Sequence, residues 1–159
     1  MIKLKINELN EQTFAKYGKV ISKTSKSPSF DNDEFTFWDK VSIYGTSGDI
    51  STGILIAKKR DFCGDKLEKH INTPEMVVAL EGDSIVVVGT SSEYAKDDIL
   101  EIEAFKLLKG EAILIDKGIW HWAPLPLTGD IKFLISFVND TPANDVLIKE
   151  LDEPYCIDI

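Results

Sequence analysis

"LEKHINTPEMVVALEGD", residues 67–83, is the stretch that decides the fold. It contains His70, one of two histidines in the chain, and Glu75 five positions later. An apolar run then leads to Gly82, which belongs to a Gly-Asp pair of the kind found in tight turns. Gly64 lies six residues before His70, so the whole stretch reads G-x5-H-x-N-x2-E-x6-G. This spacing sets two chemically active side chains between two glycines.

A second stretch, "GEAILIDKGIWH" (residues 110–121), carries the other histidine at a related spacing. It reads G-x5-D-x-G-x2-H and ends on His121. Glycines bracket the short apolar strand that leads to His121.

Together, the two stretches resemble the two sequence motifs of the cupin superfamily, G-x5-H-x-H-x3-4-E-x6-G and G-x5-P-x-G-x2-H-x3-N. The resemblance implies a mostly β fold, a cupin-type β-barrel or jelly roll with one or two short peripheral helices. It also implies that the histidines and the glutamate converge in the barrel mouth, usually on a divalent metal. A small barrel has room there for one small ligand.

The chain departs from these motifs at four positions. Asn72 stands where the first motif has its second histidine, and Glu75 follows it one residue early. Asp116 and Leu125 replace the proline and the final asparagine of the second motif. The motif side chains that remain are His70, Glu75 and His121. Two histidines and a carboxylate suffice for a facial metal triad, and they are equally suited to metal-free acid–base work, so the cofactor is either none or one divalent metal.

The composition is that of one globular domain, taken as residues 1–159. Apolar residues make up 43% of the chain and charged residues 28%, which suits a protein with a substantial core. The formal net charge of −9 and the lack of a basic cluster argue against nucleic acid or an anionic membrane as a partner. No apolar run has the length of a signal peptide or a membrane span, which predicts a cytoplasmic protein. Cys63 and Cys156 lie far apart in no CxxC arrangement, which predicts two reduced thiols.

Short segments rich in Val, Ile, Phe and Leu dominate the middle of the chain. Turn residues separate them, which predicts an all-β sandwich or barrel. Gly82 and Asp83 between two such runs predict a β-hairpin. Residues 2–6 alternate as an edge strand does, and residues 10–18 have the pattern of a short capped helix. Residues 141–159 are expected to form one short helix and a tail.

Four segments, in order and at compatible spacing, resemble one cupin family closely, the ureidoglycolate lyases. They are INELNEQTFAKYGKVI (6–21), LEKHINTPEMVVAL (67–80), DKGIWHWAPLPL (116–127) and FLISFVNDTPANDV (133–146). The similarity therefore extends along nearly the whole chain. It implies a homodimeric β-barrel lyase that splits ureidoglycolate into glyoxylate and urea during allantoin degradation, a part of purine catabolism.

The resemblance also assigns roles to individual residues. His70 and His121 stand at active-site positions of the family, and Glu75 stands where the family commonly has Gln or Glu. Lys69 and Lys117 stand where it commonly has Arg. Lysine lacks the planar fork that holds a carboxylate with two hydrogen bonds, so substrate binding at these positions differs from that of the family.

Two further residues complete the predicted substrate-binding set. Asn72 takes the place of a motif histidine, and Asp116 replaces a histidine that is frequent in the family. A carboxylate at position 116 that faced the site would repel an anionic substrate. The predicted substrate-binding residues are Lys69, Asn72, Asp116 and Lys117, and their departures make a divergent substrate plausible.

Alternation along the two strands predicts which side chains face away from the site. It places Lys69 on the face opposite His70, and it turns Trp120 and Trp122 away from His121. The tryptophans are accordingly expected to be packing residues.

Ureidoglycolate is a hemiaminal of glyoxylate, and this chemistry sets the roles that the site must supply. Cleavage needs a base for the 2-hydroxyl proton and an acid for the leaving urea nitrogen. Glu75 or His121 is predicted as the base, and His70 as the partner that protonates urea or binds a metal. Two alternatives stay open: a metal-dependent cupin oxygenase or isomerase acting on another small acidic substrate, and a non-enzymatic protein that binds a small molecule.

Overall fold

The computed structural model describes residues 1–22, 24–95 and 97–159, and its architecture is almost entirely β. The described residues form one short helix, α1 (Thr141–Asn144), and fourteen strands. The strands are β1 (Ile2–Asn7), β2 (Gly18–Val20), β3 (Phe30–Asp31), β4 (Thr36–Phe37), β5 (Ile50–Ala57), β6 (Cys63–Lys69), β7 (Glu75–Ala79), β8 (Ser84–Ser91), β9 (Ile99–Leu107), β10 (Ala112–Ile115), β11 (Trp120–His121), β12 (Leu125–Pro126), β13 (Ile131–Val138) and β14 (Leu147–Asp158). The prediction of a mostly β, cupin-type barrel with a short helix is confirmed.

The larger sheet, which we call the ring sheet, has seven strands in the order β11-β6-β14-β1-β9-β8-β12. Because β11 also pairs with β8, six of these strands close into a ring. Side chains from all of them fill its interior, among them Leu67, Ile85, Trp120 and Tyr155. The ring is therefore a packed core.

The smaller sheet has five strands in the order β2-β10-β7-β13-β5 and packs against the outer face of β8 and β9. On β8, Ile85 and Val87 belong to the ring core, whereas Val86 and Val88 belong to the core between the two sheets. Successive side chains of a strand point to opposite faces, so one apolar run supplies both cores. This explains why the central residues of β8, 85–88, are all apolar.

Strand β1 lies in the middle of the ring sheet, so the prediction of an edge strand is wrong. It pairs in parallel with β14 on one side and with β9 on the other. Leu4 is buried in the ring core while Lys3 and Lys5 are exposed on the outside. The alternation thus indicates that one face of this strand is exposed to solvent, and it does not indicate whether the strand has neighbours on both sides.

Residues 11–17 form successive turns, so the predicted helix is not present. The cap is present nevertheless, because the Asn10 side-chain oxygen accepts hydrogen bonds from the amides of Gln12 and Thr13. Phe14 and Tyr17 are fully buried and pack their rings on Phe105. The segment therefore covers one end of the core with a short series of turns that begins at the Asn10 cap.

The turn at residues 80–83 joins the two sheets, so the predicted hairpin is wrong. Strand β7 pairs with β10 and β13 in the smaller sheet, whereas β8 pairs with β9 in the ring sheet. A Cβ atom at Gly82 would lie 2.9 Å from the end of the Ile131 side chain, which would have to shift to accommodate it. Two adjacent apolar runs do not by themselves show that they pair.

The C-terminal region differs from its prediction in two ways. After α1 the chain forms β14, which is twelve residues long, rather than a tail. Cys63 on β6 and Cys156 on β14 are direct cross-strand partners and form a disulfide, so the prediction of two reduced thiols is wrong. Their sequence separation of 93 gives no sign that they are neighbours in the fold.

Among the described residues no helix is long and apolar enough to cross a membrane.

Candidate active site

A cavity of about 390 Å³ lies between the two sheets, on the outer side of β6, β8 and β11. The smaller sheet supplies most of its apolar wall, which includes Leu55, Val77, Ile115, Ile135 and Phe137. Its ionisable side chains are Glu68, His70, Glu75 and His121. Within the part of the chain that the structure describes, no lysine or arginine lines this cavity.

Strand alternation determines which side chains of the ring sheet reach the cavity. Leu67 on β6 points into the ring core, and Glu68 after it points into the cavity. On β11, Trp120 points into the ring core and His121 into the cavity. Glu68 and His121 are direct cross-strand partners, so their side chains stand side by side on one face.

His70, Glu75 and His121 meet at the ring-sheet side of the cavity. His70 Nε2 lies 2.9 Å from Glu75 Oε2, and His121 Nε2 lies 3.3 Å from the same oxygen. The two imidazole centroids are 5.0 Å apart. The structure thus brings together the three side chains that the motifs singled out.

Backbone carbonyls hold the other nitrogen of each histidine. His70 Nδ1 lies 2.7 Å from the carbonyl oxygen of Asp145, and His121 Nδ1 lies 2.9 Å from that of Ile119. A carbonyl oxygen only accepts, so both Nδ1 atoms donate a proton to it. The two Nε2 atoms are therefore the nitrogens left for chemistry in the cavity.

The charges of this cluster stabilise one another. Burial alone would raise the pKa of Glu75, but the hydrogen bonds from His121 and His70 outweigh it and lower this pKa to about 2. Burial alone would lower the pKa of His121, but the hydrogen bond and the charge of Glu75 raise it. Glu75 is accordingly an ionised carboxylate at neutral pH, and His121 is biased towards its protonated form.

Glu68 is a site residue that sequence reasoning missed. Burial raises the pKa of its carboxyl, and the nearby charges of His121 and His70 partly oppose that rise. Its position in the sequence could have indicated this role, because residues two positions apart in an extended chain point to the same side. Glu68 lies near the end of β6, and His70 directly follows that strand. It also occupies the first position of the E-K-H run in the family-like segment 67–80.

Asp145 fastens the segment that follows β6. Its carboxylate accepts hydrogen bonds from the backbone amides of Ile71 and Asn72, at 2.9 and 2.8 Å. Its Oδ1 also accepts a hydrogen bond from the Asn72 side chain. Asp145 therefore positions His70 in two ways. Its backbone carbonyl accepts a hydrogen bond from the imidazole, and its carboxylate holds the two residues that follow His70.

The four predicted substrate-binding residues do not line the cavity. Lys69 is buried, with Nζ 4.3 Å from the Trp120 ring centroid and 3.4 Å from a carboxylate oxygen of Asp97. Asn72 is turned towards Asp145, as described above. Asp116 and Lys117 are exposed on the turn before β11. Family position alone did not convey the direction of these side chains.

The two tryptophans beside His121 differ in their placement. Trp120 is fully buried in the ring core, as alternation requires. Trp122 instead lines the cavity, because β11 ends at His121 and strand alternation no longer applies after it. Gly118, two residues before β11, has a φ of +81° and donates its amide proton to the carbonyl of His70. This bond joins the two motif stretches directly.

Three ionisable side chains of the cavity wall have the chemistry of a divalent-metal site. Glu68, His70 and His121 each offer a ligand atom within 4.8 Å of the other two. With both Nδ1 atoms donating to carbonyls, a neutral imidazole presents its Nε2 lone pair to the cavity, which is the tautomer that binds metal. The donor set of two imidazoles and a carboxylate fits such an ion.

Comparisons with known proteins agree with the sequence resemblance. Residues 1–158 match the sequence model of a protein family described as ureidoglycolate lyase. No curated protein matches the chain significantly.

Solved structures share the fold at low sequence identity. A dTDP-4-dehydrorhamnose 3,5-epimerase from Elizabethkingia anophelis is 14% identical, with a TM-score of 0.50 over 82% of this chain and 79% of that one. The WlaRB TDP-quinovose 3,4-ketoisomerase from Campylobacter jejuni is 12% identical, with a TM-score of 0.47 over 61% and 68%. An oxalate decarboxylase from Lactobacillus farciminis is 19% identical, with a TM-score of 0.46 over 64% of this chain and 27% of that one.

Proposed function

The chain belongs to the ureidoglycolate lyase family, and from this premise we propose that it cleaves ureidoglycolate into glyoxylate and urea. The observation that supports this best is the cluster of His70, Glu75 and His121 on the wall of a partly open, largely apolar cavity. Acid–base groups held in such a setting are suited to moving two protons within one turnover.

His70 is the proposed base and His121 the proposed acid. Neutral His70 takes the 2-hydroxyl proton at Nε2, its only nitrogen not held by a backbone carbonyl. As the hydroxyl oxygen forms the carbonyl of glyoxylate, the C–N bond breaks and its electron pair goes to the urea nitrogen. Protonated His121 gives its Nε2 proton to that nitrogen, which releases neutral urea.

Glu75 stabilises the charge on both imidazoles. Its carboxylate oxygen lies within hydrogen-bonding distance of both Nε2 atoms, so it stabilises whichever ring is protonated. After cleavage His70 holds the extra proton and His121 lacks one, and the shared carboxylate offers a path for returning it. The pKa of about 2 makes Glu75 itself a weak base, which favours His70 over the sequence-based choice of Glu75.

If a divalent metal is part of the enzyme, His70, His121 and Glu68 are the residues that would hold it. Such an ion would supply Lewis-acid polarisation of a substrate oxygen. In that state the protein still sets the position of both imidazoles through the carbonyls of Asp145 and Ile119. Glu75 remains beside them as a fixed negative charge.

The test of this function is the release of glyoxylate from ureidoglycolate, followed with an NADH-coupled reductase. Protein prepared with and without chelator treatment is assayed in parallel. We expect glyoxylate and urea in equal amounts from both preparations if protons suffice, and from the untreated one if a metal is required. The proposal fails if neither preparation releases glyoxylate and urea, even after divalent ions have been added back.

A metal-dependent enzyme acting on another small acidic substrate is the second candidate. The Glu68, His70 and His121 donor set favours it, together with the lack of a lysine or arginine among the described residues of the cavity wall. Metal analysis of the purified protein, taken together with the ureidoglycolate assay, separates the two candidates. About one tightly bound ion per chain without ureidoglycolate cleavage supports the second.

The homodimer and the cytoplasmic location implied by the sequence stay proposals. Strand β5 is an edge strand of the smaller sheet and exposes Ile50, Ile54 and Ile56 along one side. An exposed apolar edge strand is a common contact between protein chains, and it supports a dimer here. The molar mass in solution, from light scattering coupled to gel filtration, tests this proposal.

A further inference from the structure

Glu68 is the acidic residue of the cavity wall that has no hydrogen-bond partner within the described residues. The other acidic residue of the wall, Glu75, is engaged by both imidazoles through one of its oxygens. Glu68 is half-buried and faces the cavity, and as a carboxylate it offers several acceptor positions. An acceptor in this position is satisfied when a ligand brings donors to it.

The surroundings of Glu68 restrict which ligand group fits. The smaller sheet opposite contributes apolar side chains, which offer no hydrogen bonds to a polar ligand end. The nearest polar neighbours are His70 and His121, each with a ligand atom within 4.8 Å of the Glu68 carboxylate. A ligand group beside Glu68 therefore needs N–H donors and no negative charge.

We propose that Glu68 binds the ureido end of the substrate by accepting hydrogen bonds from its N–H groups. This inference rests on the proposed function. The terminal amide of ureidoglycolate is neutral and rich in donors, whereas its carboxylate is repelled by Glu68. Protonated His121 is the cationic partner available to that carboxylate on the described wall, so Glu68 sets the direction of the substrate. The scissile C–N bond then lies beside the two Nε2 atoms.

A matched pair of ligands tests the inference without any turnover. Ureidoacetate keeps the ureido and carboxylate groups but lacks the 2-hydroxyl, so it cannot be cleaved by this route. N-Acetylglycine has a methyl group in place of the terminal amino group. Ligand-observed NMR titration gives the Kd of both ligands for the wild type, Glu68→Ala, Glu68→Gln and the control Glu150→Ala, an exposed residue on β14.

We expect the wild type to bind ureidoacetate about tenfold more tightly than N-acetylglycine, as hydrogen bonds to a charged group allow. Glu68→Ala should lose this preference and keep its affinity for N-acetylglycine. Glu68→Gln retains one acceptor oxygen and should keep part of the preference. Glu150→Ala should behave as the wild type does.

Three results would overturn the inference. They are a wild type without preference, a preference unchanged in Glu68→Ala, and a Glu68→Ala variant that loses both ligands together with its metal content. The last result would make Glu68 a metal ligand instead. Failure of the proposed function can be told apart from failure of this inference. In that case the protein would not cleave ureidoglycolate, but its preference for ureidoacetate would still depend on Glu68.

Discussion

At the scale of single residues, the site depends on one carboxylate that two imidazoles share. Glu75 Oε2 lies within hydrogen-bonding distance of both Nε2 atoms, and the two Nδ1 atoms donate to backbone carbonyls. The positions of all three side chains are thus linked, and so are their protonation states. Two predictions follow from this linkage, one on stability and one on activity.

The stability of the fold should depend on pH through Glu75. Its folded pKa of about 2 is below the ordinary 4.5, so the stabilisation is complete above pH 4.5 and is lost as the pH falls towards 2. The pKa of His121 is raised above 6.5, so its stabilisation is complete below pH 6.5 and is lost as the pH rises through the folded value. Glu75→Gln should flatten both slopes, as measured by urea unfolding across this pH range. Identical slopes in variant and wild type would contradict the linkage.

His121→Ala should lower kcat for ureidoglycolate cleavage by about 10²- to 10⁴-fold, the usual contribution of a positioned acid. Loss of the proton donor at Nε2 is the cause, since the ring core on the other face of β11 is not altered. Steady-state kinetics measures the effect, and circular dichroism checks the fold. The exposed Glu150→Ala on β14 serves as the control and should keep the wild-type rate. Full activity in His121→Ala would remove this residue from the mechanism.

The resemblance of the two motifs to those of cupins predicts that His70, Glu75 and His121 meet, and the structure brings them together. The motifs did not identify Glu68, whose strand position was readable but whose role depends on the apolar wall opposite. Strand alternation predicts that Lys69 points away from His70, as it does, but its contact with Trp120 depends on a strand distant in sequence. Side-chain direction near the ends of strands is a tertiary property.

At the scale of elements, the link between α1 and β14 positions His70, the proposed base, which directly follows β6. Asp145 lies in this link and binds the backbone amides of Ile71 and Asn72. The segment after β6 has no strand partner of its own, so these bonds replace a sheet ladder. The geometry of His70 therefore depends on an element more than 70 residues away in sequence.

Asp145→Ala should lower kcat by about 10- to 100-fold, as the loss of a hydrogen-bonding partner that orients an active-site histidine commonly does. Two backbone amides lose their acceptor, and His70 loses the support of the segment that follows it. Asp145→Asn keeps one acceptor oxygen and should recover part of the rate. Steady-state kinetics of the three proteins is the measurement. Equal rates would show that the backbone carbonyl alone is enough to hold His70.

The choice of strand partners was the part of the fold that could not be predicted from local sequence. The apolar runs of β7 and β8 were recognised as strands, but their assignment to different sheets depends on which faces Val77 and Val86 bury. The position of β1 between two parallel partners depends on strands more than 90 residues away. Periodicity predicts which face of a strand is buried, and tertiary packing decides what covers it.

At the scale of the whole molecule, one covalent bond ties distant parts of the ring sheet together. The Cys63–Cys156 disulfide encloses the segments that form most of both sheets, including every ionisable residue of the cavity wall. It joins β6 to β14 at the end opposite His70. A cross-link over such a long loop restricts the unfolded chain strongly.

Removal of this disulfide should lower the free energy of unfolding by about 2–4 kcal/mol, the typical range for a native cross-link. The change is the double variant Cys63→Ser and Cys156→Ser, and the measurement is denaturant unfolding in oxidising buffer. The wild type unfolded with a reductant is the matched control and should behave as the variant does. Superimposable unfolding curves for oxidised wild type and variant would mean that the bond does not stabilise this fold.

The parallel pairing of β1 with β14 also concerns the order in which the chain is made on the ribosome. Strand β1 is translated well before its neighbour β14, whose paired residues are 155–158. Until then the ring stays open, and the apolar residues that will fill it are exposed on the nascent chain. Chains halted before residue 147 lack β14 entirely and retain two uncovered strand edges, on β1 and β6. Such intermediates are therefore expected to be prone to aggregation until β14 closes the ring.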